Sequence, residues 1–353
     1  MMTDAFSSLP EPRHPDPSDA PPLRWGVLAP GEIARDFTAA LHRHTAQRVV
    51  AVGSRSAERA AAFAAEHGVE RSYGSYEQLV GDPHVDVIYI ASPHSQHTEH
   101  ALLAITAGKN VLIEKPIAAD AAGARLIADA ARAAGVFAME AMWTRYLPQS
   151  DILRRLLDDG AFGDLRVVTA DFGALVPFDA SSRMFDPALA GGALLDLGVY
   201  AVSWASFALG KPARVFADGT LAATGVDEQA AVLLGYPSGA QALLSTGLRA
   251  STPSRATICG SRGRVETDSP FWAASGLRFF AADGSPAASW TDPYNRPHRE
   301  GMAYEAAALA RFVAEGRTES PVHPLHEAVE TLETIDEARR QLGAAGVGSG
   351  VSA

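Results

Sequence analysis

The chain has 353 residues, 47% hydrophobic and 20% charged, which is enough apolar material for two cored domains and excludes a wholly disordered chain. Thirty Lys and Arg against forty-one Asp and Glu give a formal charge of −11, which argues against nucleic acid or an anionic membrane as the main partner. Cys259 is the only cysteine, so an internal disulfide framework is excluded and a reducing, cytoplasmic compartment is expected.

Residues 1–22 alternate proline with Ser, Asp and Glu, and an extended or disordered tail is expected there. The opening lacks a basic segment followed by an apolar one, and no uncharged apolar run reaches the roughly 18 residues of a membrane span, so neither secretion nor insertion is expected. From Leu23 onward, short apolar runs alternate with amphipathic stretches. Arg24–Leu28, Arg48–Gly53, Val85–Ala91, Asn110–Ile113 and Val136–Met139 read as strands buried on both faces, being short, rich in Val and Ile and almost continuously hydrophobic. Helical patterns over Glu32–His42, Ala57–His67, Gln96–Ala107 and Ala119–Ala134 lie between them. This alternation predicts an α/β fold, a doubly wound parallel sheet of the dinucleotide-binding Rossmann kind, over 23–143.

The rhythm changes near Trp143. A helix over Leu147–Asp158, a strand over Leu165–Ala174 and an irregular stretch to Pro187 precede a long apolar helix, Ala193–Leu209. Ala213–Thr224, Gln229–Tyr236, Gln241–Ala250, Arg255–Cys259 and Arg264–Thr267 then read as strands joined by tight turns, with Ala274–Arg299 irregular. Helices over Met302–Glu315 and Leu325–Leu342 close the pattern. The expectation is a second, α+β domain over 144–342 with an open, mostly antiparallel sheet, followed by a flexible Gly-rich tail, 343–353.

The first strand runs into Ala29-Pro30-Gly31-Glu32-Ile33-Ala34 and then a helix, the context in which backbone amides meet a pyrophosphate. Ala29, Gly31 and Ala34 hold the three positions of a glycine fingerprint; Ala29 departs at the first. The second strand ends in Gly53-Ser54-Arg55-Ser56, without the Asp or Glu that accepts from the ribose hydroxyls of NAD. Ser54, Arg55 and Arg59 suit the 2′-phosphate of NADP instead, although a solvated Arg at a helix start is common.

Lys115, in Glu114-Lys115-Pro116, stands just past the carboxyl end of a strand, where open α/β sheets bind ligands. A surface lysine before a helix also fits that pattern. Asp196 and Tyr200 lie four apart in an apolar helix, where a buried Asp needs a partner. A tyrosine hydroxyl beside an ammonium has its phenolate favoured, which suits proton exchange with an alcohol. On spacing alone, a core Tyr and a helix-stabilising Asp fit equally well. Trp143, Phe172, Phe178 and Trp272 are candidates for an apolar wall against a ring-shaped substrate, and Arg166 and Arg183 for its oxygens. His94, His97 and His100 are spaced by three, but no Cys or carboxylate cluster joins them, so no metal is expected.

Four blocks in order make the chain similar to a known family: Glu114-Lys115-Pro116, Met139–Arg145, Gly191–Tyr200 and Glu319–Leu325. From about Leu23 to about Gly343 it resembles the glucose-fructose oxidoreductases, inositol dehydrogenases and their relatives (Gfo/Idh/MocA). Within that family the likeness is nearest to the dimeric dihydrodiol dehydrogenases and the NADP-dependent D-xylose 1-dehydrogenases. The resemblance implies Lys115 and Tyr200 as the catalytic pair with Asp196 beside them, and NADP rather than NAD on the first domain. It also implies that Ser92, Pro93, His94, His97 and Glu114 lie near the cofactor. The expected activity is hydride transfer between nicotinamide and a CH–OH group of a small-molecule sugar or cyclic diol. A keto-sugar reductase of anhydrofructose type and a non-catalytic NADP-binding sensor are the alternatives. Ala230–Leu234 and Ala242–Leu244 are apolar at consecutive positions, so both faces of the second sheet are expected to be dry. Relatives pair through that open face, which implies a homodimer or a tetramer of dimers.

Overall fold

The computed structural model describes residues 9–13, 15–273, 276–293, 296 and 298–345. Two compact units emerge: one is Pro15–Tyr146 with Pro297–Val329, the other Leu147–Arg296 with Met1–His14 and Glu330–Ala353. The return segment Pro297–Val329 thus joins the first unit, not the second as the boundary at 144 had grouped it.

In the first unit, strands β1 (Arg24–Leu28), β2 (Arg48–Gly53), β3 (Arg71–Tyr73), β4 (Val87–Ile90), β5 (Asn110–Glu114) and β6 (Ala138–Ala141) alternate with helices α1 (Glu32–His44), α2 (Ala57–His67), α3 (Tyr76–Val80), α4 (His97–Thr106) and α5 (Ala121–Ala134). The strands form one sheet in the order β3-β2-β1-β4-β5-β6, every pair parallel. This is the doubly wound order whose crevice lies at the carboxyl ends of β1 and β4. Strands β4 and β6 are buried at every position, as a sheet covered on both faces requires.

In the second unit, α6 (Pro148–Asp158), β7 (Leu165–Gly173) and α7 (Val199–Leu209) precede a run of strands. These are β8 (Arg214–Leu221), β9 (Asp227–Gly235), β10 (Gln241–Gly247), β11 (Ala256–Gly260), β12 (Gly263–Thr267), β13 (Leu277–Ala281) and β14 (Pro286–Trp290). The eight-stranded sheet runs β14-β13-β12-β11-β7-β10-β9-β8; β7 and β10 are parallel and the other neighbours antiparallel. Strands β13 and β14 fall inside the stretch expected to be irregular, and they lengthen the sheet at one edge. Helix α8 (Met302–Ala314) belongs to the first unit, while α9 (Leu325–Leu342) starts in the first and ends in the second.

Three expectations need correction. Part of the N-terminal stretch is ordered: Asp16 caps the short turn Pro17–Asp19, and Ala20 packs on Ala307 and Ala310 of α8. Residues 343–345 are hydrogen-bonded, with Ala345 N donating to Gly225 O at 2.9 Å; residues 1–8 and 346–353 lie outside the described residues. The second sheet has one dry face. Along β9 and β10, buried Ala230, Val232, Ala242 and Leu244 alternate with outward Gln229, Ala231, Leu243 and Ser245. The outward face still carries one apolar row, Phe216, Leu233 and Leu243, paired across β8, β9 and β10. The helical run Pro187–Leu209 is apolar and long enough to be compared with a membrane span, and 78% of its apolar window is buried inside the fold.

Candidate active site

The first turn after β1 retains a glycine-like backbone. Ala29 adopts φ +70°, a region that costs an L-residue about 1–2 kcal/mol, while Ala29 N donates to Gly53 O at 3.1 Å and Gly31 N to Ala29 O at 2.9 Å. Gly31 is the N-cap of α1 and offers no side-chain cap, and the space beside its Cα is open. The first amides of α1 therefore lack a side-chain acceptor, with room for a phosphate to supply one. These features fit a dinucleotide, with Ala29–Ile33 around its pyrophosphate. At the end of β2, Ser54 is buried and its Oγ accepts from Ser56 N at 3.2 Å. Arg55 and Arg59 are exposed and close to the Tyr76 hydroxyl, opposing the rise that burial imposes on it.

Beyond β4 and β5 the polar groups turn inward. His97 is fully buried, with Nε2 2.8 Å from Ser92 O and Nδ1 2.8 Å from Pro116 O. Burial pushes it down to about 4, so at neutral pH the ring carries one N–H and donates to one carbonyl at a time. The two nitrogens of His97 thus face carbonyls just past the ends of β4 and β5. His94, also buried, packs edge-on to it at 5.6 Å, and Ser92 Oγ lies 2.9 Å from His100 Nδ1. The Glu114 carboxylate accepts from the Tyr89 hydroxyl inside the unit. Burial raises Glu114, against the pull of Tyr89 and Lys115. Lys115 follows at the end of β5, and its bond to Pro116 is cis.

Two of the resembling blocks meet here. Glu140 Oε1 accepts from Ile117 N at 2.8 Å, two residues past Lys115, and Glu140 Oε2 lies 2.7 Å from His323 Nε2. His323 Nδ1 faces Glu327 at 3.3 Å, Arg145 pairs with the same carboxylate at 3.3 Å, and Tyr146 OH donates to Ser320 Oγ at 2.9 Å. Glu140, Arg145, Tyr146, Ser320 and His323 are all buried. Trp143, expected on a substrate wall, is buried within this unit in the turn Trp143–Tyr146. Sequence reasoning missed Glu305 on α8, whose fully buried carboxylate oxygens have no hydrogen-bond partner among the described residues. Burial and the neighbouring Glu114 and Glu140 charges raise it well above the usual carboxylate range.

In the second unit Tyr200 is the second residue of α7, directly after a wide π-turn, Leu194–Gly198. The uniform helix expected over Ala193–Leu209 is therefore broken by a turn of the kind that recurs at functional sites. Asp196, in that turn, is buried and accepts from Arg183 Nη1 at 3.1 Å. Arg183 is thus the partner that a buried Asp requires. The rings of Tyr200, Phe172 and Trp272 gather closely: Phe172 stacks on Trp272 at 5.2 Å, and Tyr200 lies 5.7 Å from Phe172 and 6.2 Å from Trp272. Phe178 instead packs edge-on to Phe185 at 5.0 Å. Arg166 is displaced from this cluster: it pairs with Asp164 on the surface, six residues before Phe172 on β7, or about 20 Å along a strand. Among the described residues, no group of three or more His, Cys, Asp or Glu is arranged to hold a metal ion.

Comparison with known proteins covers both units. Residues 23–142 match the oxidoreductase family with an NAD-binding Rossmann fold, and 151–266 match the GFO/IDH/MocA C-terminal domain. The chain is 40% identical over 331 residues to trans-1,2-dihydrobenzene-1,2-diol dehydrogenase of Mus musculus, covering 91% of this chain and 97% of the relative. The Homo sapiens protein of that name is 38% identical over 329 residues, with the same coverage. Among solved structures, an aldose-aldose oxidoreductase from Caulobacter crescentus, complexed with glycerol, superposes with a TM-score of 0.81 at 25% identity, over 91% of this chain and 97% of that one. A 3-ketoreductase from Actinomadura kijaniata, in complex with TDP-benzene and NADP, gives 0.78 at 27% identity, over 91% and 98%.

Proposed function

The chain belongs to the GFO/IDH/MocA oxidoreductase family, and on that premise we propose that it is an NADP-dependent dehydrogenase acting on the CH–OH group of a sugar or cyclic diol. The carrying observation is the ring cluster of Tyr200, Phe172 and Trp272 beside the Arg183–Asp196 pair. A cyclic substrate lays its C–H face on aromatic rings while its hydroxyl meets a group able to exchange a proton. When bound, nicotinamide supplies the hydride chemistry. Tyr200 takes or returns the hydroxyl proton, Lys115 is the second catalytic group that the family resemblance implies, and Asp196 with Arg183 fixes the local charge. The dihydrodiol dehydrogenase relatives support the diol, and the 3-ketoreductase bound to NADP supports a keto-sugar as the second reading.

NADP is favoured by Ser54, Arg55 and Arg59 and by the missing acid at the end of β2. R55D should weaken NADP by roughly 10- to 100-fold, the worth of a charge-assisted bond, and NAD far less. Equal losses for both would remove Arg55 from the 2′-phosphate. The working assembly in this proposal is a cytoplasmic homodimer, or a tetramer of dimers, using the Phe216–Leu233–Leu243 row; light scattering tests it, and a monomeric mass would refute it. Nicotinamide absorbance against a panel of sugars, diols and keto-sugars tests the activity. Tight NADP binding without turnover on any of them would favour a sensor.

A further inference from the structure

We propose that Asp227 is a positioning residue for Tyr200: its carboxylate caps the wide turn Leu194–Gly198 and so sets where α7 begins. The proposal rests on the dehydrogenase reading only for its kinetic arm.

Asp227 opens β9 and is fully buried, and its Oδ2 accepts from Leu194 N at 2.6 Å. Gly192, just before the turn, which the catalytic reading leaves unexplained, is what admits it. Gly192 holds φ +118°, a conformation that L side chains rarely adopt, and a Cβ there would run into the Asp227 carboxylate. A second strand braces the same turn: Thr246 Oγ1 of β10 lies 3.0 Å from Phe172 O and 3.4 Å from Ala193 O as a shared donor. Cap, aromatic cluster and turn are therefore one assembly. From Leu194 to Tyr200 the chain is continuously helical, roughly 9 Å along the axis, with no loop to absorb a shift. Loss of the cap should move the Tyr200 hydroxyl, and a displacement near 1 Å costs about 100-fold in rate.

Burial pushes the Asp227 carboxyl up to about 6, against the lowering by Leu194 N–H and by Arg339 of α9. It is ionised, and accepts most strongly, above that pH. Protonation favours the folded form here, because the folded value lies above the ordinary 3.8. The stability contributed by this group is full below the ordinary value and lost as pH rises through about 6.

The test uses the full chain and its D227A and D227N variants. In D227A, kcat on whichever panel substrate the wild type turns over should fall roughly 10- to 100-fold. NADP affinity, measured by nicotinamide fluorescence, should stay within about two-fold. Amide exchange over 193–200 should quicken in D227A, and D227N, which keeps an acceptor, should recover both rate and protection. Wild-type stability should fall as pH rises through about 6, a dependence that D227N lacks. A D227A variant with kcat within about two-fold of wild type, or with unchanged exchange over 193–200, overturns the proposal. If the wild type turns over no panel substrate, the dehydrogenase reading fails, and the exchange arm still decides the cap.

Discussion

Around Lys115 the neighbours are buried polar groups, each matched to another: His97 to two carbonyls, Glu140 to Ile117 N and His323, Tyr89 to Glu114. Around Tyr200 they are rings, Phe172 and Trp272, with the Asp196–Arg183 pair as the polar element. The first arrangement depends on directional bonds, so each member has one correct position and removing one strands another. The second depends on shape and contact area, which tolerate exchange of one ring for another of similar size. Directional bonds thus surround the lysine turn, while the Tyr200 ring itself lies among other rings.

The largest expected effect tests chemistry on both sides at once. Y200F should lower kcat by roughly 10² to 10⁴ with NADP affinity nearly intact, and K115M should do likewise. Near-normal turnover in Y200F would remove the hydroxyl from the mechanism.

The contrast between the two kinds of support is sharpened by E140A. It leaves His323 buried beside an empty place and frees Ile117 N, so a loss of about 1–3 kcal/mol for each stranded group is expected, read as a lower melting temperature. F172L keeps bulk within the ring cluster and should cost under about 1.5 kcal/mol. Equal losses in the two variants would erase the distinction.

The smallest effect is a gain. A29G relieves the positive φ at the first turn but adds freedom to the unfolded chain, for a net stabilisation of about 0.5–1 kcal/mol by denaturant titration. A loss of stability would mean that the Ala29 methyl makes contacts worth more than its backbone conformation costs.

Much of this was legible before the structure. Strands such as Val87–Ile90 announce themselves because a parallel strand covered on both faces has no polar positions. Arg71–Tyr73 does not, since three residues with no buried position carry no period. Strands β13 and β14 escaped because each is short, with few fully buried positions to mark an alternation. The wide turn before Tyr200 was invisible because inserting one residue into a helix leaves composition unchanged. His97, Glu114, Lys115 and Tyr200 were found as residues, but the inward aim of His97 and Glu114 was not, because Glu140 and His323 complete that interior from 183 positions apart.

The route of the chain carries a consequence for synthesis. The parallel sheet ends with β6 by residue 141, yet Ala138 N donates to Thr318 O, and Glu140 waits for His323. A nascent chain therefore emerges with its nucleotide-binding half lacking an edge bond and a hydrogen-bond partner of Glu140 until more than 300 residues have been made. The usual order, in which an N-terminal domain closes before the next begins, does not apply. A segment about 180 residues past β6 completes the first sheet, so a message truncated before residue 318 yields a chain in which neither that sheet edge nor the contact of Glu140 with His323 is formed.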